Sequence, residues 1–230
     1  MSALPNRIRP GAGGPTPRPV ALVPPGGRHV DISLTSLVDV VSKSGTPKAT
    51  CVKQIKAQLT APYDPRNDYY KILREGIADI HAAGQPKTAL SAIVGRVGDP
   101  KRAGTYASLV ADYASWWGRK NIGWFAPPRS IWTPPGSGIG ITVNPELGLD
   151  INGVRHVVKL YFKSEPLTKA RIEVITHLMH QEFAAGANAG TQFSVLDMRR
   201  KKLHNVQPPS VVGPILVAEV AYIDSLWDHV

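Results

Sequence analysis

Two carboxylates and one lysine lie close together in the second half of the chain. Glu146 and Asp150 are four residues apart, and Lys159 follows an Asn152-Gly153 pair, which is the strongest short signal for a β-hairpin turn. Because side chains alternate along a strand, Glu146 and Asp150 are predicted to share one face, with Lys159 across from them on the second strand. Such carboxylates suit Mg²⁺, and a lysine beside them can stabilise charge on an attacking water or a scissile phosphate. The hairpin is therefore a candidate catalytic and metal site for phosphodiester hydrolysis.

The densest run of cations is the tetrapeptide RRKK. Two further basic residues come earlier in the sequence, at the start of the preceding predicted helix. These six side chains are a candidate nucleic-acid-binding site: Arg199, Arg200, Lys201, Lys202, Lys169 and Arg171. At a strand end or a hairpin turn they can grip phosphates, with an affinity that depends on salt. The alternative is that the run is only the charged tip of a hairpin.

Glu173, His177 and His180 fall on one stripe of a predicted helix. Two histidines and a carboxylate are a known ligand set for zinc or non-haem iron. The spacing lacks the HExxH pattern of zinc peptidases, so a polar helix face is the alternative.

Aromatic side chains and cations interleave between residues 113 and 132. Trp116 and Trp117 have helical spacing and are predicted to be core, whereas Trp124 and Trp132 lie in a proline-rich loop. Aromatic rings next to arginines can stack nucleic-acid bases, so the loop is a further candidate surface.

The elements that position these residues are predicted from periodicity. Helices are expected over residues 34–41, 66–83, 87–96, 103–118, 167–184 and 214–227, and residues 46–65 form either a basic helix or a surface loop. One strand is expected over 139–151, the hairpin's second strand over 154–163, and a third over 192–206, with a turn at Arg200-Lys201. The fold class is therefore mixed α/β, α+β-like, with a helical N-terminal half followed by a β-hairpin, helix, strand and helix.

The succession of a helix, two strands, a helix and a strand resembles the core of the PD-(D/E)XK nuclease superfamily, especially its RecB-like and Cas4-like branch. The segments ELGLDINGVRHVVKLYFK and FSVLDMRRKKLHNV carry the resemblance, which spans about residues 138–206. The resemblance implies a metal-dependent nuclease, in which Asp150 or Glu146 matches the first acid and Lys159 matches the lysine of the acid-x-lysine motif.

The chain departs from the pattern of this family at one important position. Val157 stands two residues before Lys159, where the family has Glu, Asp or Gln, and the branch's Gln-x-x-x-Tyr segment is missing. The resemblance then implies either a degenerate member that binds without cutting or a site that takes an acid from elsewhere, such as Glu75 or Asp79.

Composition bounds the remaining possibilities. The chain carries 27 Lys and Arg against 17 Asp and Glu, a net charge of +10, which favours a nucleic acid or an acidic protein as partner. The single Cys51 excludes an internal disulfide and a cysteine-based zinc site. Without a membrane-spanning run, a secretory signal, a Walker loop or a GxGxxG motif, we expect a cytoplasmic protein with no membrane and no nucleotide cofactor.

Three regions are predicted: a disordered, basic, Pro/Gly-rich arm over residues 1–29, a helical region over 30–120, and an α/β region over 121–230 that packs with it as one domain. The function predicted from the sequence is nucleic-acid binding on a nuclease-like scaffold, either degenerate or Mg²⁺-dependent. The alternative is a non-enzymatic protein-interaction module with a basic surface.

Overall fold

A computed structural model describes residues 28–62 and 68–230 of the chain. The predicted N-terminal arm lies outside these residues, apart from Arg28 and His29. The helices are α1 (Leu34–Val41), α2 (Gly45–Thr60), α3 (Lys71–Ala82), α4 (Ser91–Gly95), α5 (Pro100–Trp117), α6 (Lys169–Phe183) and α7 (Val212–Trp227), with short 3-10 helices at Lys87–Leu90 and Ala184–Gly186. The strands are β1 (Val30–Ser33), β2 (Ile122–Phe125), β3 (Ser130–Trp132), β4 (Ile139–Val143), β5 (Leu147–Ile151), β6 (Val154–Tyr161), β7 (Gln192–Asp197) and β8 (Lys202–His204). The predicted mixed α/β class is confirmed.

A five-stranded sheet in the order β2-β5-β6-β7-β8 organises the fold. Its strands pair antiparallel except β6 and β7, which run parallel and are joined through α6. The β5–β6 turn is formed by Asn152 (φ 53°) and Gly153 (φ 88°), as the two positive φ angles of a type I′ hairpin require. Because Leu147 pairs with Val158, the residue before β5 faces Lys159.

The prediction of one continuous strand over 139–151 is wrong. The chain leaves β4 after Val143 and enters β5 at Leu147, and the two strands belong to different sheets. Pro145 lies in the break, and a proline cannot donate a hydrogen bond to a β-ladder. Strand β4 instead pairs with β1 and β3 in a second, three-stranded sheet.

Other boundaries also differ from the sequence-based expectation. The ambiguous segment 46–65 is helical over Gly45–Thr60, the helix predicted from residue 66 begins at Lys71, and the strand β1 precedes the first helix. The long proline-rich loop contains two short strands, β2 and β3. Local periodicity did not identify β1 and β2, which depend on distant partners, β4 and β5.

Two hydrophobic clusters cover the two faces of the larger sheet. Val157 and Tyr161 of β6 pack in the cluster with α1, α2, α6 and α7, whereas Val158 and Leu160 pack in the cluster with α3, α4 and α5. Burial on both faces agrees with the sequence of β6, in which four of the last six residues are apolar and all six are buried. Lys159 is only 6% exposed and interrupts that run with a charge. No helix within residues 28–62 and 68–230 is long and apolar enough to cross a membrane.

Candidate functional site

Lys159 and Glu146 form a nearly buried ion pair. The Nζ atom of Lys159 lies 2.6 Å from Glu146 Oε1, and the two side chains are 8% and 11% exposed. Lys159 Nζ also donates to the carbonyl oxygen of Asn144 at 3.0 Å and to its Oδ1 at 3.3 Å. All three N–H groups of the ammonium can therefore be satisfied, as burial of a charge requires.

Glu146 is fixed by the backbone of β6 as well as by the lysine. Its N–H donates to the carbonyl of Val158 at 3.0 Å, and its Oε2 accepts from the N–H of Leu160 at 2.7 Å. Glu146 thus extends the β5–β6 pairing by one residue and places its carboxylate directly opposite Lys159.

Helix α3 supplies a cation to this site. Arg74 donates to both carboxylate oxygens of Asp68, at 3.0 and 2.6 Å, and its Nε lies 4.0 Å from Glu146 Oε1. Burial lowers the pKa of Arg74, but the hydrogen bond to Asp68 and the charges of Asp68 and Glu146 outweigh it and raise the pKa overall. The guanidinium therefore stays charged at the edge of the pair.

The two acids of α3 that were candidates to complete the site, Glu75 and Asp79, do not line the cleft. Glu75 lies 3.9 Å from Lys71, one turn away on the outer face of α3. Asp79 is 70% exposed and lies 3.7 Å from Arg96. Arg74 was missed because it borders the apolar stripe of α3, where an arginine is ordinarily a solvated residue.

The Lys159–Glu146 pair lies in a cleft of about 880 Å³. Its lining includes residues of α1, residues at and before the start of α3, and the segment 161–163. Lys163 pairs with Asp39 of α1, with Nζ 2.6 Å from Oδ2, and the ring of Tyr70 stacks on Phe162 with 4.8 Å between centroids. The cleft lining therefore combines ion pairs with an aromatic platform.

The RRKK run lies beside this cleft. It forms the β7–β8 turn, in which Lys201 has a positive φ of 54°. Arg199 Nε donates to the carbonyl of Phe162 at 2.9 Å, and Arg200 Nη2 donates to that of Ser164 at 3.3 Å. The turn is thereby attached to the same segment that lines the cleft.

The other charges of the turn are partly satisfied within the protein. Arg200 Nη1 lies 3.1 Å from the buried Asp197, and Lys201 Nζ lies 3.5 Å from Asp112. Both cationic side chains remain nearly half exposed, and Lys202 is exposed as well. The turn can therefore still present positive charge to a partner.

Arg171 and Lys169, in the first turn of α6, complete the six predicted binding cations. Arg171 donates to the Tyr161 hydroxyl at 2.8 Å and to Ser42 Oγ at 3.0 Å, and Lys169 is 81% exposed. These contacts place the six cations around the carboxyl ends of the parallel strands β6 and β7. Open α/β sheets bind ligands at such ends.

Asp150 does not join Glu146. It lies at the other end of β5, where its Oδ1 accepts from the N–H of Gly153 at 2.7 Å. Four residues of extended strand separate the two carboxylates by about 13 Å, so one metal ion cannot bind both. The predicted Mg²⁺ ligand pair is therefore not brought together.

The remaining donors do not fit a Mg²⁺ ion either. Val157 is 2% exposed within a hydrophobic cluster, and Glu146 is already engaged by Lys159 and Leu160. Among residues 28–62 and 68–230, no group of three His, Cys, Asp or Glu side chains could hold a metal ion. No step of a metal-dependent reaction can be derived from this set.

The predicted stripe of Glu173, His177 and His180 does not form such a group either. Glu173 lies 3.6 Å from Lys169, and the ring of His180 packs edge-on against Phe193. Burial lowers the pKa of His177, which keeps this imidazole neutral.

The aromatic residues mostly form core, as predicted for Trp116. A residue that sequence reasoning missed, His81, lies among them: its Nε2 is 2.7 Å from the Tyr113 hydroxyl and its ring stacks on Trp117, with centroids 4.4 Å apart. Burial lowers the pKa of His81 to about 4. Trp132 of the loop is also buried, at 7% exposed.

A scan against protein-family models finds no match to the chain, and a search of curated proteins finds no significant match.

Proposed function

We propose that this protein binds nucleic acid at the carboxyl ends of β6 and β7, on a scaffold that resembles the PD-(D/E)XK nucleases. The observation that carries the proposal is that the RRKK turn is attached through Phe162 and Ser164 to the cleft that contains Lys159. Cations 40 residues apart in sequence thereby converge on one cleft.

The order of elements supports the nuclease-like part of the proposal. The hairpin β5–β6 is followed by the crossover helix α6 and the parallel strand β7, and Lys159 lies on the strand where the resemblance expects the motif lysine. Tyr70 is half-buried at the cleft and stacks on the buried Phe162, so the ring of Tyr70 is the aromatic surface against which a base can stack.

The donor set favours binding without metal-dependent cleavage. The position of the second motif acid is Val157, which packs in the core, and Asp150 belongs to the hairpin turn. Lys159 is held by Glu146 and Asn144, so its role in this proposal is to fix the cleft floor, while the positive charge comes from the rim.

The test is binding of fluorescein-labelled single-stranded and duplex DNA and RNA across a salt series. Each phosphate contact contributes about −0.9 to the slope of log K against log salt on duplex DNA, so four rim contacts give a slope of roughly −4. Lys201→Gln/Lys202→Gln should weaken binding several-fold and reduce the magnitude of the slope by up to about 2.

A matched control removes two exposed cations from the opposite end of the sheet. Lys87 donates to the carbonyl of Gly118. Arg119 is the residue after Gly118 and lies near the hairpin turn at Asn152. Lys87→Gln/Arg119→Gln should leave the affinity nearly unchanged. An equal loss in both double variants, or no binding at low salt, would contradict the proposal.

Incubation with Mg²⁺ or Mn²⁺ tests the absence of cleavage separately. We expect intact substrate with the wild-type chain. Cleavage that disappears in Lys159→Met would replace the binding-only proposal by a nuclease with an acid from another source.

A protein-interaction module with a basic surface is the second candidate function, and one feature of α7 favours it. Val211 and Ile215 lie one turn apart at its start and are 57% and 45% exposed. Adjacent exposed apolar side chains are typical of protein contacts. Absence of nucleic-acid binding at low salt would make this the better-supported function.

A further inference from the structure

A second cavity, of about 310 Å³, lies apart from the cleft and shares no lining residue with it. Its walls come from the β2–β3 connection, the start of β6 and the end of α6. The side chains on which the inference depends are Phe125, Pro128, Arg155, Glu182 and Phe183.

Gly148 makes the aromatic wall of this cavity possible. Phe125 pairs with Gly148 across β2 and β5, and a Cβ at Gly148 would lie 2.2 Å from the Phe125 carbonyl oxygen and 2.6 Å from its ring. The guanidinium of Arg155 stacks over the same ring, with Cζ 4.1 Å from the centroid. The stacking leaves the guanidinium N–H groups available at its edge.

Two opposite charges face this cavity without neutralising each other. Within the described part of the chain, the Arg155 side chain stacks on Phe125 but makes no hydrogen bond or ion pair. Glu182 Oε2 accepts from the Ser130 hydroxyl at 2.5 Å, while its Oε1 has no partner and no cation lies within 4.0 Å among those residues. The two charged groups therefore line the same cavity without forming an ion pair with each other.

We propose that this cavity binds a small zwitterion, namely an α-amino acid with an aromatic or large apolar side chain. Arg155 would take the carboxylate, as its planar fork of donors suits, and Glu182 would take the ammonium. Phe125, Pro128 and Phe183 would contact the apolar side chain. The volume lies at the lower end of ligand pockets, which is the size range of a single amino acid.

Three matched probes separate the contributions of the two charges. L-phenylalanine has both charged groups, 3-phenylpropanoate lacks the ammonium, and 2-phenylethylamine lacks the carboxylate. Titration calorimetry on the full chain should show that phenylalanine binds about tenfold more tightly than either analogue, because each analogue leaves one protein charge unmatched.

Two variants assign the charges to their partners. Arg155→Met should weaken phenylalanine and phenylpropanoate about tenfold and leave phenylethylamine unchanged, whereas Glu182→Gln should weaken phenylalanine and phenylethylamine only. Lys201→Gln/Lys202→Gln, outside this cavity, should affect none of the three. Equal affinity for all three probes, absence of phenylalanine binding at millimolar concentration, or indifference to both variants would overturn the proposal.

Discussion

Replacement of Lys159 by methionine tests whether the floor of the cleft is a desolvated ion pair. Methionine keeps most of the length and apolar stem of lysine but removes its charge. Glu146 would then remain 11% exposed with the N–H of Leu160 at 2.7 Å and the more distant guanidinium of Arg74 as its partners. The carbonyl of Asn144 would also lose its donor at 3.0 Å.

The expected loss of stability follows from this residual solvation. Removing one partner of a buried ion pair costs roughly 3–5 kcal/mol, and the partners that Glu146 keeps place the variant near the lower end, about 3 kcal/mol. For a chain of this size, that loss lowers Tm by about 6–12 °C. The double variant Glu146→Gln/Lys159→Met leaves no unpaired charge, so its loss should be about 1 kcal/mol.

The assay is urea unfolding followed by tryptophan fluorescence for the wild type, both single variants and the double variant. The sum of the single losses should exceed the double loss by about 2 kcal/mol or more. An Lys159→Met loss below about 1 kcal/mol, or strict additivity of the two single losses, would refute the argument, because either result means that water solvates the pair.

Three further predictions concern other parts of the structure. Burial lowers the pKa of His81 to about 4, so the buried neutral imidazole contributes its full stability above pH 6.5. About 3 kcal/mol of this stability should be lost as the pH falls from 6.5 towards 4. Urea unfolding midpoints measured against pH should show this loss, and the His81→Gln variant should not show it. Gly148→Ala places a methyl group against Phe125 and should cost about 1–3 kcal/mol or more in thermal unfolding, whereas Gly186→Ala, with open space around it, should be nearly neutral. Asp150→Ala removes the acceptor of a turn hydrogen bond and should cost about 1 kcal/mol while leaving nucleic-acid affinity unchanged; a parallel loss of affinity would contradict the placement of Asp150 outside the cleft.

Much of the fold could be predicted because its signals are local. Asn152-Gly153 specifies a two-residue turn. The length of this turn fixes which residues of β5 and β6 face each other. Helical periodicity located α3, α5 and α6 within a few residues. Such signals depend on backbone preferences within one turn or one strand.

The composition of the cleft could not be predicted, because it depends on contacts between distant segments. Arg74 reaches Glu146 from a helix 72 residues earlier in the chain, and Arg199 joins the cleft through the carbonyl of Phe162. The separation of Asp150 from Glu146 was accessible in principle, since four strand residues span about 13 Å. The period-two alternation of a strand predicts that Glu146 and Asp150 share a face, but it does not by itself take account of the distance between their carboxylates.

The packing of the sheet accounts for an apolar residue at position 157. Val157 lies between Gly148 and Phe193 in the cross-strand row that also contains Phe125, and α6 covers this face of the sheet. Val157 is 2% exposed, so a carboxylate at this position would lose most of its hydration, which costs several kcal/mol unless a cation such as Arg155, which lines the same small cavity, pairs with it. Two residues further along β6 the cluster opens into the cleft, and there Glu146 and Asn144 satisfy Lys159. Val157 and Lys159, on the same face of β6, therefore have different surroundings: Val157 packs in the hydrophobic cluster, whereas the charge of Lys159 is paired by Glu146 and Asn144 in the cleft.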